Sequence, residues 1–371
     1  MRPRPFELER FLAEHEFRAP HMICGSDCES VSIGELLALE PGALEGLHRV
    51  RLGYTESHGA PELRSEIAAL YATTCADDVL VHAGAQEAIF GFMNAVLEPG
   101  DHVVAHWPAY ASLHEVARAI GCEVTPWRAD EANGWALDPD DLRRALQPNT
   151  KAVVVNFPHN PTGALMDRDT FSEVVAVAAE HGAIVFSDEV YRGLEHRPEE
   201  RLPAACDVDP RAVSLGVLSK TYGLPGLRIG WVATRNRPVL DAMAAFKDYT
   251  SICNAAPSEY LACVALRQRD ALVRRNLEII RRNVALAATF IERHADRFEW
   301  TPPRAGSVAF PALRDGGSER FCLDVLDRAG VLLLPSRYFG AGDRHFRLGL
   351  GRVGLEAGLE RLDAFLTGAG G

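Results

Sequence analysis

Between Lys151 and Tyr191 the chain reads KAVVVNFPHNPTGALMDRDTFSEVVAVAAEHGAIVFSDEVY. Its two ends, KAVVVNFP and GAIVFSD, are apolar and largely β-branched at successive positions, so each reads as a short strand buried on both faces. The stretch between them, DRDTFSEVVAVAAEHG from Asp167 to Gly182, has the length of a helix and ends in a glycine suited to a helix C-cap. Strand, helix and strand in this order form a crossover unit, which belongs to a parallel sheet with helices laid on its faces.

The same alternation extends outward from about residue 60 to residue 235. DDVLVHAG, DHVVAHWP, CEVTPW, AVSLGVLSK and IGWVAT read as further strands, and AQEAIFGFMNAVLEPG reads as a further helix. The expected fold is α/β, a mainly parallel seven-stranded sheet flanked by helices. After Asp248 the pattern changes. A long helix is expected through DALVRRNLEIIRRNVALAATFIERHADRF, then strands in GSVAFPAL, GVLLLPSRYFG and HFRLGLG, then a closing helix in GLEAGLERLDAFLTG. This predicts a large domain over residues 46–265, a smaller α+β domain over 266–371, and an N-terminal segment, 1–45, that joins the smaller one.

Composition narrows the possible functions. A chain of 371 residues exceeds one ordinary core, and 47% apolar with 24% charged residues is usual for a globular protein. The formal charge of −12 is wrong for a nucleic-acid surface, which needs a basic footprint. LVRRNLEIIRR is locally basic but reads as an amphipathic helix with a solvated face. The eight cysteines are scattered without Cys-x-x-Cys spacing, Cys24 and Cys28 being the one close pair, as expected of reduced thiols in a cytoplasmic enzyme. His102 and His106 fall on an expected strand, where their spacing does not make one helical face for a metal. No apolar run suits a signal peptide or a membrane span, so the expectation is a soluble, intracellular protein without a membrane partner.

In open α/β sheets ligands gather outside the carboxyl ends of the strands. Polar residues follow the apolar runs at Gly84-Ala85-Gln86, at Asn156 to Gly163, at Asp188 to Tyr191 and at Ser219-Lys220. A partly desolvated lysine at such an end has a lowered pKa and can act as a nucleophile that forms a Schiff base. Arg228, beyond a loop of glycines and proline, offers a planar fork suited to a phosphate, and Ser219 adds a hydroxyl. If Gly84 opens a helix, the amides of Ala85 and Gln86 point at the same kind of anion. Asp188 ends a buried run and needs a partner, which could be an arginine or the protonated nitrogen of a bound pyridine ring.

In this order and at these separations, NFPHNPTG, SDEVY and LSKTYGLPGLRIGW resemble the signature set of the class I/II aminotransferases, fold type I enzymes that depend on pyridoxal 5′-phosphate. The resemblance runs from about Tyr54 to Arg347. It implies an enzyme that moves the amino group of an L-amino acid to a 2-oxo acid. Lys220 would form the Schiff base and shuttle the α-proton, and Asp188 would keep the pyridine nitrogen protonated. Asn160 and Tyr191 would hydrogen-bond the 3′-oxygen, and Tyr110 in WPAYAS would stack on the ring. Gly84, Ala85, Gln86, Ser219 and Arg228 would hold the phosphate, joined by Tyr54 from the other subunit, so that a homodimer shares its active sites. Arg347 would grip the substrate carboxylate, with Asn156 supporting it indirectly. No metal is implied.

Two departures stand out. Val217 occupies a position where the family usually has serine or glycine, which removes a phosphate hydroxyl, and HMICGSDCES stands where many relatives show Gly-x-Pro near the substrate. VVVNFPHNPTGA, SKTYGLPGLRIGW and RYFGAGDRHFRLG also resemble the capreomycidine synthase branch, which acts on an arginine-derived amino acid by elimination and ring closure. That resemblance implies an alternative, a lyase or cyclase, and an arginine-like substrate. A noncatalytic regulatory domain fits less well, because no helix-turn-helix precedes Tyr54 and both Lys220 and Arg347 are kept.

Overall fold

The structure, a computed structural model, describes residues 3–368. Its centre is a sheet of seven strands, β1 (Val79–His82), β2 (His102–Trp107), β3 (Glu123–Arg128), β4 (Thr150–Asn156), β5 (Ile184–Asp188), β6 (Val213–Val217) and β7 (Gly230–Ala233). Their order across the sheet is β1-β7-β6-β5-β4-β2-β3, and only β7 runs antiparallel to its neighbours. All seven expected strands are present.

Helices α1 (Glu7–His15) and α2 (Pro61–Ala68) precede the sheet, while α3 (Ala85–Val96) and α4 (Ser112–Ile120) follow β1 and β2. The crossover helix α5 (Arg168–Glu180) starts where the Asp167 side chain accepts from Thr170 N–H at 2.9 Å, a side-chain N-cap. After β7 come α6 (Arg237–Lys247), α7 (Ala256–Arg267) and the 25-residue α8 (Arg269–Arg293). Strand alternation divides the core between two faces. Ala152 and Val154 of β4 pack with Phe92, Met93, Leu113 and Met243, whereas Val153 and Val155 pack with Phe171, Val174 and Ala178. At the β1 edge, Val79, Val81 and Trp231 pack under Leu63, Ile67 and Val264. Every face of the sheet's middle is thus buried, which is why its strands read as unbroken apolar runs.

The C-terminal region is more fragmentary than expected. GSVAFPAL forms two short strands, Val308–Ala309 and Ala312–Leu313, separated by Phe310 and by Pro311, which has no N–H to donate. GVLLLPSRYFG likewise gives Val331–Leu332 and Leu334–Pro335, then a 3₁₀ turn over Ser336–Phe339. Helix α9 (Ser318–Ala329) lies between these strands, and α10 (Leu355–Thr367) closes the chain. The N-terminal segment packs here, with His21–Met22 parallel to Val331–Leu332 and Ile23 in a core with Phe346 and Leu359. No helix among the described residues is long and apolar enough to cross a membrane, and all eight cysteines are free.

Candidate active site

A cavity of about 550 Å³ opens at the carboxyl ends of the strands. Polar groups that follow β1, β2, β4, β5 and β6 reach into it. Asn156 and Asp188 are the last residues of β4 and β5 and are register partners, so their backbones lie side by side. The Asn156 side chain secures the pair, donating from Nδ2 to Asp188 O at 2.9 Å and accepting from Asn160 N–H at 2.8 Å. Asn160 Oδ1 then accepts from Arg347 Nη1 at 3.2 Å, while Arg347 Nε donates to Cys24 O at 3.0 Å. Arg347 is buried within the strand Phe346–Gly349. Asn156 therefore acts on the arginine through Asn160.

Lys220 lies just past the end of β6, and its Nζ donates to Ser26 Oγ at 2.7 Å. Burial pushes the amine below its ordinary pKa; Asp27 pulls it up, Arg347 pushes it further down, and Glu9 and Asp188 pull it up. Burial pushes the Asp188 carboxyl up to about 7, opposed by the Val190 N–H that it accepts at 3.2 Å and by the charge of Lys220. Tyr191 is 1% exposed, yet its hydroxyl has no hydrogen-bond partner among the described residues. Such an orphan is costly unless something outside the chain completes it.

At the other end, Gly84 caps α3 at φ +90°, leaving the N–H groups of Ala85 and Gln86 in the helix's unbonded first turn. A Cβ on Gly84 would stand 2.5 Å from Arg228 Nη2, and one on Gly230 would stand 2.7 Å from Ala85 N. Both glycines are needed so that the arginine and the helix start can come together. Arg228 itself is held at φ +52° and donates from Nη1 to Pro225 O at 3.0 Å. A helix N-terminus and an arginine at one end, an orphaned phenol and a buried carboxylate at the other, fit a phosphorylated pyridine cofactor.

Of the residues singled out from sequence, Ala85, Gln86, Tyr110, Asn156, Asn160, Asp188, Tyr191, Ser219, Lys220, Arg228 and Arg347 line this one cavity, with Gly84 directly behind Arg228. Tyr54 does not join them within the chain; it is 90% exposed elsewhere on the surface. Val217 lines the cavity as an apolar wall. His102 lies between the hydroxyls of Thr150 and Thr125, at 2.7 and 2.9 Å, while His106 stacks on His159 at 3.8 Å.

The N-terminal segment contributes a wall that sequence reasoning missed: Glu9 and Glu16, Ser26 and Asp27, with Arg352 from the C-terminal region. Glu9 accepts from the Tyr110 hydroxyl at 2.7 Å, and Asp27 pairs with Arg352 at 2.9 Å. The side chain of Glu16 has neither an ion pair nor a hydrogen bond among the described residues, and burial, the first cause, raises its carboxyl pKa. The one signal in the sequence was the departure at HMICGSDCES, which holds Ser26 and Asp27.

Comparison with known proteins gives the same picture. The aminotransferase class I and II family model matches residues 36–362. Capreomycidine synthase of Streptomyces vinaceus is 35% identical over 357 residues, 95% of this chain and 91% of that protein. The arginine–pyruvate transaminase AruH of Pseudomonas aeruginosa is 31% identical over 326 residues, covering 83% and 80%. Among solved structures, a pyridoxal phosphate-dependent aminotransferase from Streptococcus suis superposes with a TM-score of 0.93 at 34% identity, covering 99% of this chain and 98% of that one. The pyridoxal phosphate-dependent cyclase OrfR does so with a TM-score of 0.91 at 34% identity, covering 100% and 98%. The chain belongs to the class I and II aminotransferase family, fold type I enzymes whose cofactor is pyridoxal 5′-phosphate.

Proposed function

We propose that the protein acts at the α-carbon of an L-amino acid whose side chain ends in a positive charge, as in arginine. The observation that carries this reading is the charge layout of the cavity. Arg347 offers a buried guanidinium to a carboxylate, and the N-terminal wall offers three carboxylates, of which Glu16 is without a partner among the described residues. A substrate that is anionic at one end and cationic at the other satisfies both.

The chain's own groups divide the work. The amides that open α3, with Ser219 and Arg228, would hold the phosphate, and Tyr191 and Asn160 the 3′-oxygen. Asp188 would hold the proton on the ring nitrogen, a task suited to a buried carboxylate that lacks a cation of its own. When bound, pyridoxal 5′-phosphate supplies an electron-withdrawing ring that acidifies the substrate's α-C–H. Arg347 orients the substrate carboxylate, and the Lys220 amine, kept below its ordinary pKa by burial, takes the α-proton and can return it. Ser26, at 2.7 Å, holds that amine in the cavity when it is free. Tyr54 of a second copy would complete the phosphate site, which makes the working unit a homodimer.

Amino transfer to a 2-oxo acid is the outcome to which the motif set leads. The acidic wall disfavours a second carboxylate on the acceptor, so a monocarboxylic acceptor suits it. Elimination with ring closure is the second reading, favoured by the match to capreomycidine synthase along 95% of this chain. One experiment separates them. The purified holoenzyme is mixed with arginine or a hydroxylated arginine, without any 2-oxo acid, and its absorbance and products are followed. Loss of the yellow cofactor band with one equivalent of the corresponding 2-oxo acid per site identifies amino transfer. A band that persists while the hydroxylated arginine loses its hydroxyl as water and cyclises identifies the second reading. Inertness toward every cationic amino acid, alongside turnover of neutral or acidic ones, would overturn the substrate class.

A further inference from the structure

A second cavity, of about 420 Å³, backs onto the first. The two share Val190 and Val217, and the wall of the second continues through Thr221 and Tyr222, the residues that follow Lys220. Nothing in the proposed chemistry uses it. Its charge runs against that of the molecule: in a chain of net charge −12, this cavity is lined by Arg192, Arg201, Arg269, Arg274 and Arg281, against Glu189 and Asp270.

Among the described residues, only Arg201 of the five has an ion pair, with Glu195 at 2.8 Å. Arg192 spends one nitrogen on Leu70 O at 3.3 Å, and its Nε is buried without a partner among the described residues. Arg269 and Arg281 reach only backbone oxygens, of Leu266 at 2.9 Å and His196 at 3.2 Å. Arg274 makes no side-chain hydrogen bond or ion pair among the described residues, and both it and Arg281 are exposed. Glu189 offsets Arg192 in part: its Oε1 is taken by Ala205 N–H and Ser214 Oγ, each at 2.8 Å, while its Oε2 is buried without a hydrogen-bond partner among the described residues. Guanidinium groups gathered in this way repel one another unless an anion lies among them. A phosphoryl group, with several oxygens facing different directions, can accept from more than one fork at once. The remaining wall, Leu70, Val273, Leu277 and Trp231, is apolar and suits an organic body.

We propose that this cavity binds a small phosphorylated organic molecule, separately from the cofactor site. Thr221 Oγ1 donates to the backbone oxygens of Val190 and Arg192, at 3.0 Å each, so the ligand would sit against the loop that carries Lys220. The test is calorimetric titration of the full chain, saturated with pyridoxal 5′-phosphate, with inorganic pyrophosphate as the probe. One saturable site per chain is expected, weakened by salt and weakened about 10-fold or more by the double substitution Arg274→Gln/Arg281→Gln, from the loss of charge-assisted bonds. These two side chains are exposed and outside the catalytic cavity, so the double variant should keep its cofactor band. Hydrogen exchange should slow over residues 192–201 and 269–281 when the probe is added. Absence of saturable binding, undiminished binding in the double variant, or protection confined to residues 84–86 and 219–228 would each overturn the proposal. None of these readouts depends on which amino acid the enzyme turns over.

Discussion

Asp188 shows how much one buried group can report. Its carboxyl is pushed from the ordinary aspartate range up to about 7 by burial. Between those two values the folded protein binds more protons than the unfolded chain, so stability falls as pH rises, by up to about 1.4 kcal/mol per pH unit, and the full cost is present above the folded pKa. Asparagine has no charge to desolvate. The cofactor-free Asp188→Asn variant is therefore expected to melt above cofactor-free wild type at about pH 8, with the advantage shrinking toward about pH 5. Thermal melts at the two pH values check this, and an advantage that grew on acidification would contradict it. Arg347 makes a different prediction. Lysine at 347 keeps a charge but loses the planar fork and its bond to Asn160, so KM for the amino acid should rise about 10- to 100-fold, which steady-state kinetics would read. The cofactor should stay bound, because Arg347 is placed to face the substrate.

At the scale of elements, the N-terminal segment is held to the C-terminal region by hydrogen bonds to its backbone. Gly349 N–H donates to Ile23 O at 2.7 Å, Glu29 N–H to Gly351 O at 2.8 Å, and Ser307 Oγ to Ser26 O at 2.8 Å. The approach is so close that a Cβ on Gly349 would lie 2.2 Å from Gly25 O. Gly349→Ala should push Gly25 to Asp27 away from the cavity, cost about 1–3 kcal/mol of stability and weaken selection of arginine over alanine while the cofactor remains bound. Thermal melts and the ratio of kcat/KM values test it. The same arrangement explains what could be read from the sequence. β4 and β5 announce themselves because both faces are buried and every position is apolar, and the residues at their ends follow from where strands stop. Ser26 meets Lys220 across a separation of 194 residues, through pairing between His21–Met22 and Val331–Leu332 that two-residue strands do not signal. Helix α9 went unread although Cys322, Val325 and Ala329 follow its buried face, because it is enclosed between fragments that read as strands. Gly84, Asn160 and Arg347 could be placed from a resemblance of motifs; Glu9 and Glu16 belong to no motif and enter the cavity only by tertiary packing.

For the molecule as a whole, four of the exposed large apolar residues fall in two linked loops. Leu52 and Tyr54 are 87% and 90% exposed, and Tyr249 and Ile252 are 91% and 52% exposed. The loops are tied together by buried Lys247, which donates to Ser57 O at 2.5 Å and Asn254 Oδ1 at 3.0 Å, and by Thr55 Oγ1, which donates to Asn254 O at 3.1 Å. Large aromatic rings on so fixed a surface are typical of an interface. The proposed homodimer uses this face, with Tyr54 crossing to the phosphate site of its partner. Two substitutions divide that claim. Tyr249→Asp places a charge in the apolar contact and should give monomers by sedimentation, with cofactor affinity falling along with dimerisation. Tyr54→Phe removes one hydroxyl and leaves the apolar contact, so the protein should stay dimeric while its cofactor dissociates about 10-fold more readily, the loss of one charge-assisted hydrogen bond. If Tyr249→Asp stays dimeric, the interface lies on another face; if Tyr54→Phe binds its cofactor as wild type does, each chain closes its phosphate site from its own residues, and Arg228 with the start of α3 suffices.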